Sequence, residues 1–323
     1  MLENKKNILE IVRQSIRSEE KAVGKLTDYV NDDFCKIVDK ILHSQGRVIV
    51  TGIGKSANIG NKVVSTLNST GTPAIFMHAA DAIHGDLGII QTHDIVICIS
   101  KSGQTPEIKV LIPLIKNFGN LLIGMVGNTD SFLAQESDYI INCTVDREAC
   151  PNNLAPTAST TAQLVMGDAL AVALLECRGF TPKDFAKYHP GGSLGKQLYL
   201  RVRDISCQNE TPSVKPDDSI KDVIIEISSK RLGVTAVLEN DQLIGVITDG
   251  DLRRMLLKNL SIEKTLAKDI MSVQPKYVYE DDMAINALGV MRRNNITQAL
   301  VVDANGKYSG VIHLHDLLKE GII

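Results

Sequence analysis

Tryptophan is absent from this 323-residue chain, and aromatic residues make up only 4% of it. Recognition of single-stranded nucleic acid by stacking bases on aromatic side chains is therefore not expected. There is no basic excess either: 35 Lys and Arg stand against 38 Asp and Glu, a formal net charge of −3. Nucleic-acid binding usually shows as a basic face or stripe, so nucleic acid is not an expected partner. Unbroken apolar runs are short, as in Ala169 to Leu175, and fall well below the ~18 residues a membrane span needs. The first residues, Met1-Leu2-Glu3-Asn4-Lys5-Lys6, bring an acid early and no apolar core after it, unlike a secretory signal. Six cysteines (35, 98, 143, 150, 177 and 207) form no Cys-x-x-Cys pair, which fits neither a zinc ribbon nor a disulfide framework. The expectation is a cytoplasmic protein with reduced thiols and no membrane association.

What is present is an ordinary globular composition, 44% hydrophobic and 23% charged, at a length that suggests two or three domains. Residues 3–45 carry helical periodicity, with Ile8, Ile11, Val12, Ser15 and Ile16 on one face and Phe34, Ile37, Val38, Ile41 and Leu42 on another. From Arg47 the texture changes to short apolar runs that end in Gly or Ser. Val48–Thr51, Ala74–Met77, Ile95–Ile99, Leu121–Val126 and Tyr139–Ile141 read as strands buried on both faces of a parallel sheet. Helical stretches lie between them at 57–69, 105–118 and 130–137, and a longer helix runs from about Ser159 to Glu176. This alternation predicts a doubly wound α/β layer structure.

The segment Phe185–Lys196 is glycine-rich and is expected to be irregular. Beyond it the sequence repeats. The segment starting at Pro212 resembles that at Pro275, and Leu243-Ile-Gly-Val-Ile-Thr-Asp-Gly-Asp-Leu resembles Tyr308-Ser-Gly-Val-Ile-His-Leu-His-Asp-Leu. Two copies of a small β-α-β-β-α unit, each with little core of its own, should pack together. The domain boundaries expected are 1–200, 205–260 and 269–323.

Two loops carry the candidate chemistry. Thr51-Gly52-Ile53-Gly54-Lys55-Ser56 follows a strand and opens a helix, but the first glycine of a Walker loop would fall at Ile49. A dinucleotide fingerprint survives only as Gly52-x-Gly54-x-x-Ala57, and the nearest acid after the next strand is Asp81. Ser100-Lys101-Ser102-Gly103-Gln104-Thr105 follows another strand and opens another helix. Hydroxyls, free N–H groups and a positive dipole end converge there, as a phosphate group requires. Any one of these serines alone reads as an ordinary helix cap. Two such loops at the carboxyl ends of one sheet read instead as an anion cleft, and the anion as a sugar phosphate.

The pattern Ser-x-Ser-Gly-x-Thr-x-Glu formed by Ser100, Ser102, Gly103, Thr105 and Glu107 resembles the signature of the sugar isomerase (SIS) domain. The repeats at 205–260 and 269–323 resemble a pair of CBS domains. His84-Gly-Asp-Leu-Gly, Glu148-Ala-Cys-Pro-Asn-Asn-Leu-Ala-Pro-Thr, Gly167-Asp168-Ala169-Leu170 and His189-Pro-Gly-Gly-Ser-Leu-Gly-Lys196 resemble the D-arabinose-5-phosphate isomerase family, over nearly the whole chain. The resemblance implies interconversion of D-ribulose 5-phosphate and D-arabinose 5-phosphate for the eight-carbon sugar Kdo of lipopolysaccharide or capsule. It also implies a homotetramer and a Gram-negative cytoplasm.

By the same resemblance, Lys55, Glu107, Glu148 and His189 are the catalytic set. Moving a carbonyl between C1 and C2 needs a carboxylate to shuttle a carbon-bound proton, a His for the hydroxyl proton of ring opening, and a Lys facing the oxyanion or phosphate. Glu148 is the expected base and His189 the ring-opening group. Outside that motif context, Lys55 and Glu107 read as first-turn surface residues, and Glu148 as a solvated loop acid. Gly54, Ser56, His78, His84, Ser100, Ser102, Gly103 and Thr105 are the expected substrate contacts. No cofactor is required by a cis-enediol route. The family implies zinc at the position of His84, read here as adventitious or inhibitory, since a structural site normally has four ligands.

In CBS pairs a hydroxyl residue and an Asp three positions on contact a nucleotide. Thr248 and Asp251 fit that pattern, whereas His313 stands where the hydroxyl would be, before Asp316. A regulatory ligand is expected at these four residues, an adenosine nucleotide or CMP-Kdo. The competing readings are a sugar-phosphate sensor without catalysis and an isomerase of another sugar phosphate. SIS-containing regulators carry a helix-turn-helix, and the acidic N-terminal segment offers no basic recognition helix.

Overall fold

The computed structural model describes residues 2–322, which divide into two compact units, one ending at Tyr188 and one beginning at His189. The first unit starts with α1 (Leu2–Gly24) and α2 (Asp32–His43), joined through a short 3-10 turn. It continues β1 (Val48–Gly52), α3 (Lys55–Ser69), β2 (Ala74–His78), α4 (Ala79–Ala82), β3 (Ile95–Ser100), α5 (Pro106–Asn117), β4 (Leu121–Val126), α6 (Phe132–Glu136) and β5 (Tyr139–Asn142). It ends with α7 (Ala158–Cys177) and α8 (Pro182–Tyr188). All five strands expected from the sequence form one parallel sheet, in the order β2-β1-β3-β4-β5.

Alternation along the strands splits the core between the two faces of the sheet. Val48, Val50, Ile95, Ile97 and Ile99 pack with α2, α3 and α7, while Ile49, Val96, Cys98 and Leu122 pack with α4, α5 and α6. Burial on both faces explains why these strands read as continuous apolar runs. At the amino edge, buried Asp94 accepts hydrogen bonds from the Arg47 backbone N–H (2.8 Å) and guanidinium (2.7 Å), which ties the start of β1 to that of β3. Helix α7 is long and apolar enough to cross a bilayer by length and composition alone. Its Ala162, Met166, Leu170, Ala171 and Leu174 are instead part of the core of this unit. That helix exceeds the apolar length expected from the sequence because small and hydroxyl residues extend the run.

The second unit contains α9 (Ser193–Tyr199), α10 (Val202–Ser206), β6 (Ser213–Val214), α11 (Ile220–Lys230), β7 (Val234–Glu239), β8 (Gln242–Thr248), α12 (Asp249–Leu257), α13 (Ala267–Ile270) and β9 (Ser272–Val273). The second copy follows as β10 (Tyr277–Tyr279), α14 (Ala284–Asn294), β11 (Gln298–Val302), β12 (Tyr308–His313) and α15 (Leu314–Lys319). Each repeat builds its own small sheet, β6-β7-β8-β9 and β10-β11-β12. A core shared between the copies, with Val234 and Ala236 beside Leu300 and Val311, joins them.

Phe185–Lys196 is not irregular throughout, as the glycine content suggested. Its ends belong to α8 and α9, and only 189–192 form a turn. Position 195, inside α9, has room only for glycine, because a Cβ there would collide with the carbonyl oxygens of His189 and Pro190. The units divide before α9, ahead of the boundary near 200. Lys196 pairs with Glu320 at 2.8 Å, Gln197 donates to the Ile322 carbonyl, and Leu200 joins the core of the second repeat.

Candidate active site

In a sheet of order 2-1-3-4-5 the connections leave β1 and β3 in opposite directions, and ligands bind at the carboxyl ends of those two strands. Both candidate loops lie there. After β1, Gly54 (φ +59) turns the chain into α3, whose first residue is the exposed Lys55. Ser56, half-buried, donates its hydroxyl to Oε1 of the buried Gln163 on α7 at 3.2 Å.

After β3, the loop is braced from within and from α6. Ser100 Oγ is buried and accepts from the Gly103 N–H at 3.0 Å, while the exposed Ser102 Oγ accepts from Gln104 at 3.3 Å. Gly103 has φ +60, and a Cβ at that position would strike the Ser131 hydroxyl, so only glycine lets the loop pass α6. Thr105 occupies the N-cap of α5 but makes no side-chain cap, and its buried Oγ1 has no hydrogen-bond partner. Glu107 follows in the first turn of α5, half-buried.

Buried polar atoms are nearly always paired, so the exceptions are informative. Among the described residues, three buried side-chain polar atoms lack a hydrogen bond: Thr51 Oγ1, His78 Nδ1 and Thr105 Oγ1. They belong to the ends of β1 and β2 and to the loop after β3. All three therefore lie at the carboxyl end of the sheet.

Glu148, the expected base, is fully buried, unlike the solvated loop acid that its Pro- and Asn-rich surroundings alone suggest. Oε1 accepts from Lys101 Nζ (2.5 Å) and the Ser159 hydroxyl (2.6 Å). Oε2 accepts from the Thr157 N–H (2.9 Å), the Thr157 hydroxyl (3.2 Å) and the Ser159 N–H (3.1 Å). The carboxylate thus serves as the N-terminal cap of α7, where the helix dipole favours an anion. Burial alone would raise its pKa, but the Lys101 ammonium, the Ser159 hydroxyl and the two N–H groups outweigh it and hold the carboxyl at about 2. A base works best with a pKa near the operating pH. Glu148, with its lone pairs already occupied, is poorly suited to take a proton from carbon.

His84 is exposed past α4, and His78 Nδ1 lies 3.6 Å from Asp81 Oδ2, too far for a hydrogen bond. Among the described residues, no three His, Cys, Asp or Glu side chains converge as metal ligands. His189, half-buried, is the first residue of the second unit.

In the second unit the four ligand candidates act as helix caps. Thr248 and Asp251 form a reciprocal capping box on α12, with the Thr248 hydroxyl donating to Asp251 Oδ2 at 2.7 Å and Arg254 on its other oxygen. On α15, His313 Nδ1 accepts from the His315 N–H at 3.0 Å, and Asp316 accepts from the His313 N–H at 3.1 Å and Asn209 at 2.7 Å. Histidine therefore replaces the hydroxyl residue without losing the cap. Burial, and then the neighbouring His315, lower the His313 pKa.

Reading the sequence missed Lys101, Gln163, Thr157 and Ser159. The signal for Lys101 was its place between Ser100 and Ser102. Thr157 closes the motif that begins at Glu148, and Ser159 follows it by two residues, whereas Gln163 acts through a contact 107 residues away that nothing local marks.

Comparison with known proteins agrees with this geometry. The SIS domain family matches residues 41–173, and the CBS domain family matches 202–258 and 267–322. The chain is 45% identical to the arabinose 5-phosphate isomerase KdsD of Pseudomonas aeruginosa, over 96% of each chain. It is 44% identical to a probable arabinose 5-phosphate isomerase of Haemophilus influenzae, over 97% of this chain and 93% of that protein. An Escherichia coli structure in complex with arabinose 5-phosphate superimposes on 57% of this chain and 98% of its own, with a TM-score of 0.56 at 39% identity. With relatives this similar along almost its full length, the chain belongs to the arabinose 5-phosphate isomerase family.

Proposed function

We propose that this protein is an aldose–ketose isomerase that interconverts D-ribulose 5-phosphate and D-arabinose 5-phosphate through a cis-enediol, supplying Kdo synthesis in the cytoplasm. The observation that carries this reading is the edge of unsatisfied polar groups, Thr51, His78 and Thr105, beside a phosphate-type loop, in a chain that aligns end to end with arabinose 5-phosphate isomerases. The phosphate docks on the loop Ser100–Thr105, where the free Thr105 hydroxyl and the N-terminus of α5 offer donors. Lys55, at the first position of α3, faces the developing oxyanion with a mobile positive charge.

The carbon-bound proton is assigned to Glu107 rather than Glu148. No described residue donates a hydrogen bond to the Glu107 carboxylate, whereas that of Glu148 is saturated. His189 keeps the ring-opening role on its family resemblance. A homotetramer is the proposed assembly, and the exposed Ile8, Ile11, Val12 and Ile16 of α1 are the surface it would bury. A regulatory adenosine nucleotide or CMP-Kdo is proposed for the CBS pair, the cap residues Thr248, Asp251, His313 and Asp316 marking where to look. The deciding experiment is an assay of purified protein with both pentose 5-phosphates and with hexose phosphates. Turnover of a hexose phosphate alone would replace the substrate assignment, and no turnover of any would favour a sensor.

A further inference from the structure

Lys101 directly follows β3, inside the phosphate-type loop, and it is held at three points. Its carbonyl accepts from the Gly127 N–H at 3.1 Å, just beyond β4. Its stem crosses Gly127 so closely that a Cβ there would lie 2.8 Å from the Lys101 carbonyl oxygen and 3.2 Å from its Cγ. Its ammonium reaches Glu148 Oε1 at 2.5 Å. A lysine on an exposed loop normally keeps its four-carbon stem free. This one is fixed at its backbone, along its stem and at its charge.

The pair is also asymmetric. The Glu148 side chain is 0% exposed and the Lys101 side chain 44%. The carboxylate is turned into the protein, among Thr157 and Ser159, and the ammonium keeps an open side. A buried carboxylate with five donors satisfies its own hydrogen bonding, so the arrangement leaves donor capacity only on the lysine. Of its three N–H donors, a single one is engaged by a described partner. Lys101 belongs to the same loop as Ser102 and the unpartnered Thr105 hydroxyl.

We propose that Lys101 is a phosphate-contacting residue of this site and that Glu148 is a positioning residue which acts through it. The inference rests on the isomerase reading for the identity of the substrate, but not for the existence of an anion site. A preorganised cation loses little freedom on binding, so it contributes more affinity than a free lysine would. Because the phosphate is remote from the reacting carbons, the contact is equal in ground and transition states and appears in KM rather than kcat.

The test is calorimetric titration of the full-length protein with inorganic phosphate, run beside kinetics with ribulose 5-phosphate. Lys101→Met should weaken phosphate binding and raise KM in parallel, by about tenfold or more, with kcat changed less than about threefold. Lys101→Arg should restore most of both. Glu148→Gln, which keeps the lysine but loosens it, should fall between them. Removing Lys101 leaves a buried carboxylate unpaired, so the Lys101→Met, Glu148→Gln double variant is the control for folding. If phosphate affinity and KM are unchanged in the folded single or double variant, Lys101 does not touch the phosphate and the proposal fails. If phosphate binding depends on Lys101 in a protein that isomerises no pentose phosphate, the isomerase reading fails and the Lys101 assignment stands.

Discussion

Ser159 binds Glu148 twice, through its hydroxyl at 2.6 Å to Oε1 and through its N–H at 3.1 Å to Oε2. One residue in the first turn of α7 therefore ties a loop carboxylate to the core helix of the first unit. Ser159→Ala removes one of these bonds and leaves the other. It should lower stability by about 1–2 kcal/mol, because a buried charged acceptor loses its hydroxyl donor. A thermal melt of the variant is the measurement, and an unchanged Tm would show that water replaces the hydroxyl.

The same carboxylate sets an acid limit on stability. Glu148 is depressed from 4.5 to about 2 in the folded protein, so its contribution is complete above pH 4.5 and is lost as pH falls towards 2. The full contribution is about 3–4 kcal/mol at ~1.4 kcal/mol per pKa unit. Denaturant melts between pH 5 and pH 2 should show this loss in the wild type and a shallower slope in Glu148→Gln. Parallel slopes would contradict the depressed carboxyl.

The two candidate acids should separate by the kind of damage each causes. Glu107→Gln is expected to lower kcat by about 100-fold or more with an unaltered melting temperature. Glu148→Gln is expected to lose stability and raise KM while retaining most of kcat. A large kcat defect in a well-folded Glu148→Gln protein would return the base role to Glu148.

Thr105 offers the cleanest probe of the anion loop, since its hydroxyl makes no cap and has no partner to lose. Thr105→Val keeps the shape and removes the donor. KM for the sugar phosphate should rise about tenfold, with a Tm equal to or above that of the wild type. Ser100→Ala should behave in the opposite way, because Ser100 braces the Gly103 N–H from inside the loop. There the Tm should fall along with the loop geometry.

Gly103 carries both a positive φ and the close passage of Ser131. Gly103→Ala is expected to cost about 1–3 kcal/mol and to displace the loop from α6. Relief of the defect in a Ser131→Gly background would identify the collision as the cause, although that background also loses the α6 cap. A defect that persists unchanged would assign the cost to the backbone conformation alone.

Much of this protein is local chemistry, and local chemistry is legible in a sequence. Strands buried on both faces must be short apolar runs, so Val48, Ile95 and Leu121 announced their strands. Loops that end a strand and open a helix favour Gly and hydroxyl residues, so Gly54 and Ser100–Thr105 marked the turns from β1 into α3 and from β3 into α5. The repeats were visible because two copies of one unit solve the same packing problem with similar residues. The tertiary structure decided what depends on which distant segments meet. Lys101 and Glu148 are 47 residues apart, and their pairing follows from the β3 loop meeting the start of α7. A carboxylate in a Pro- and Asn-rich loop is solvated unless another element covers it, and its desolvation cannot be read from its neighbours in sequence. The same holds for Thr105, whose hydroxyl is buried without capping α5, and for Gly195, where the carbonyls of His189 and Pro190 leave no room for a side chain.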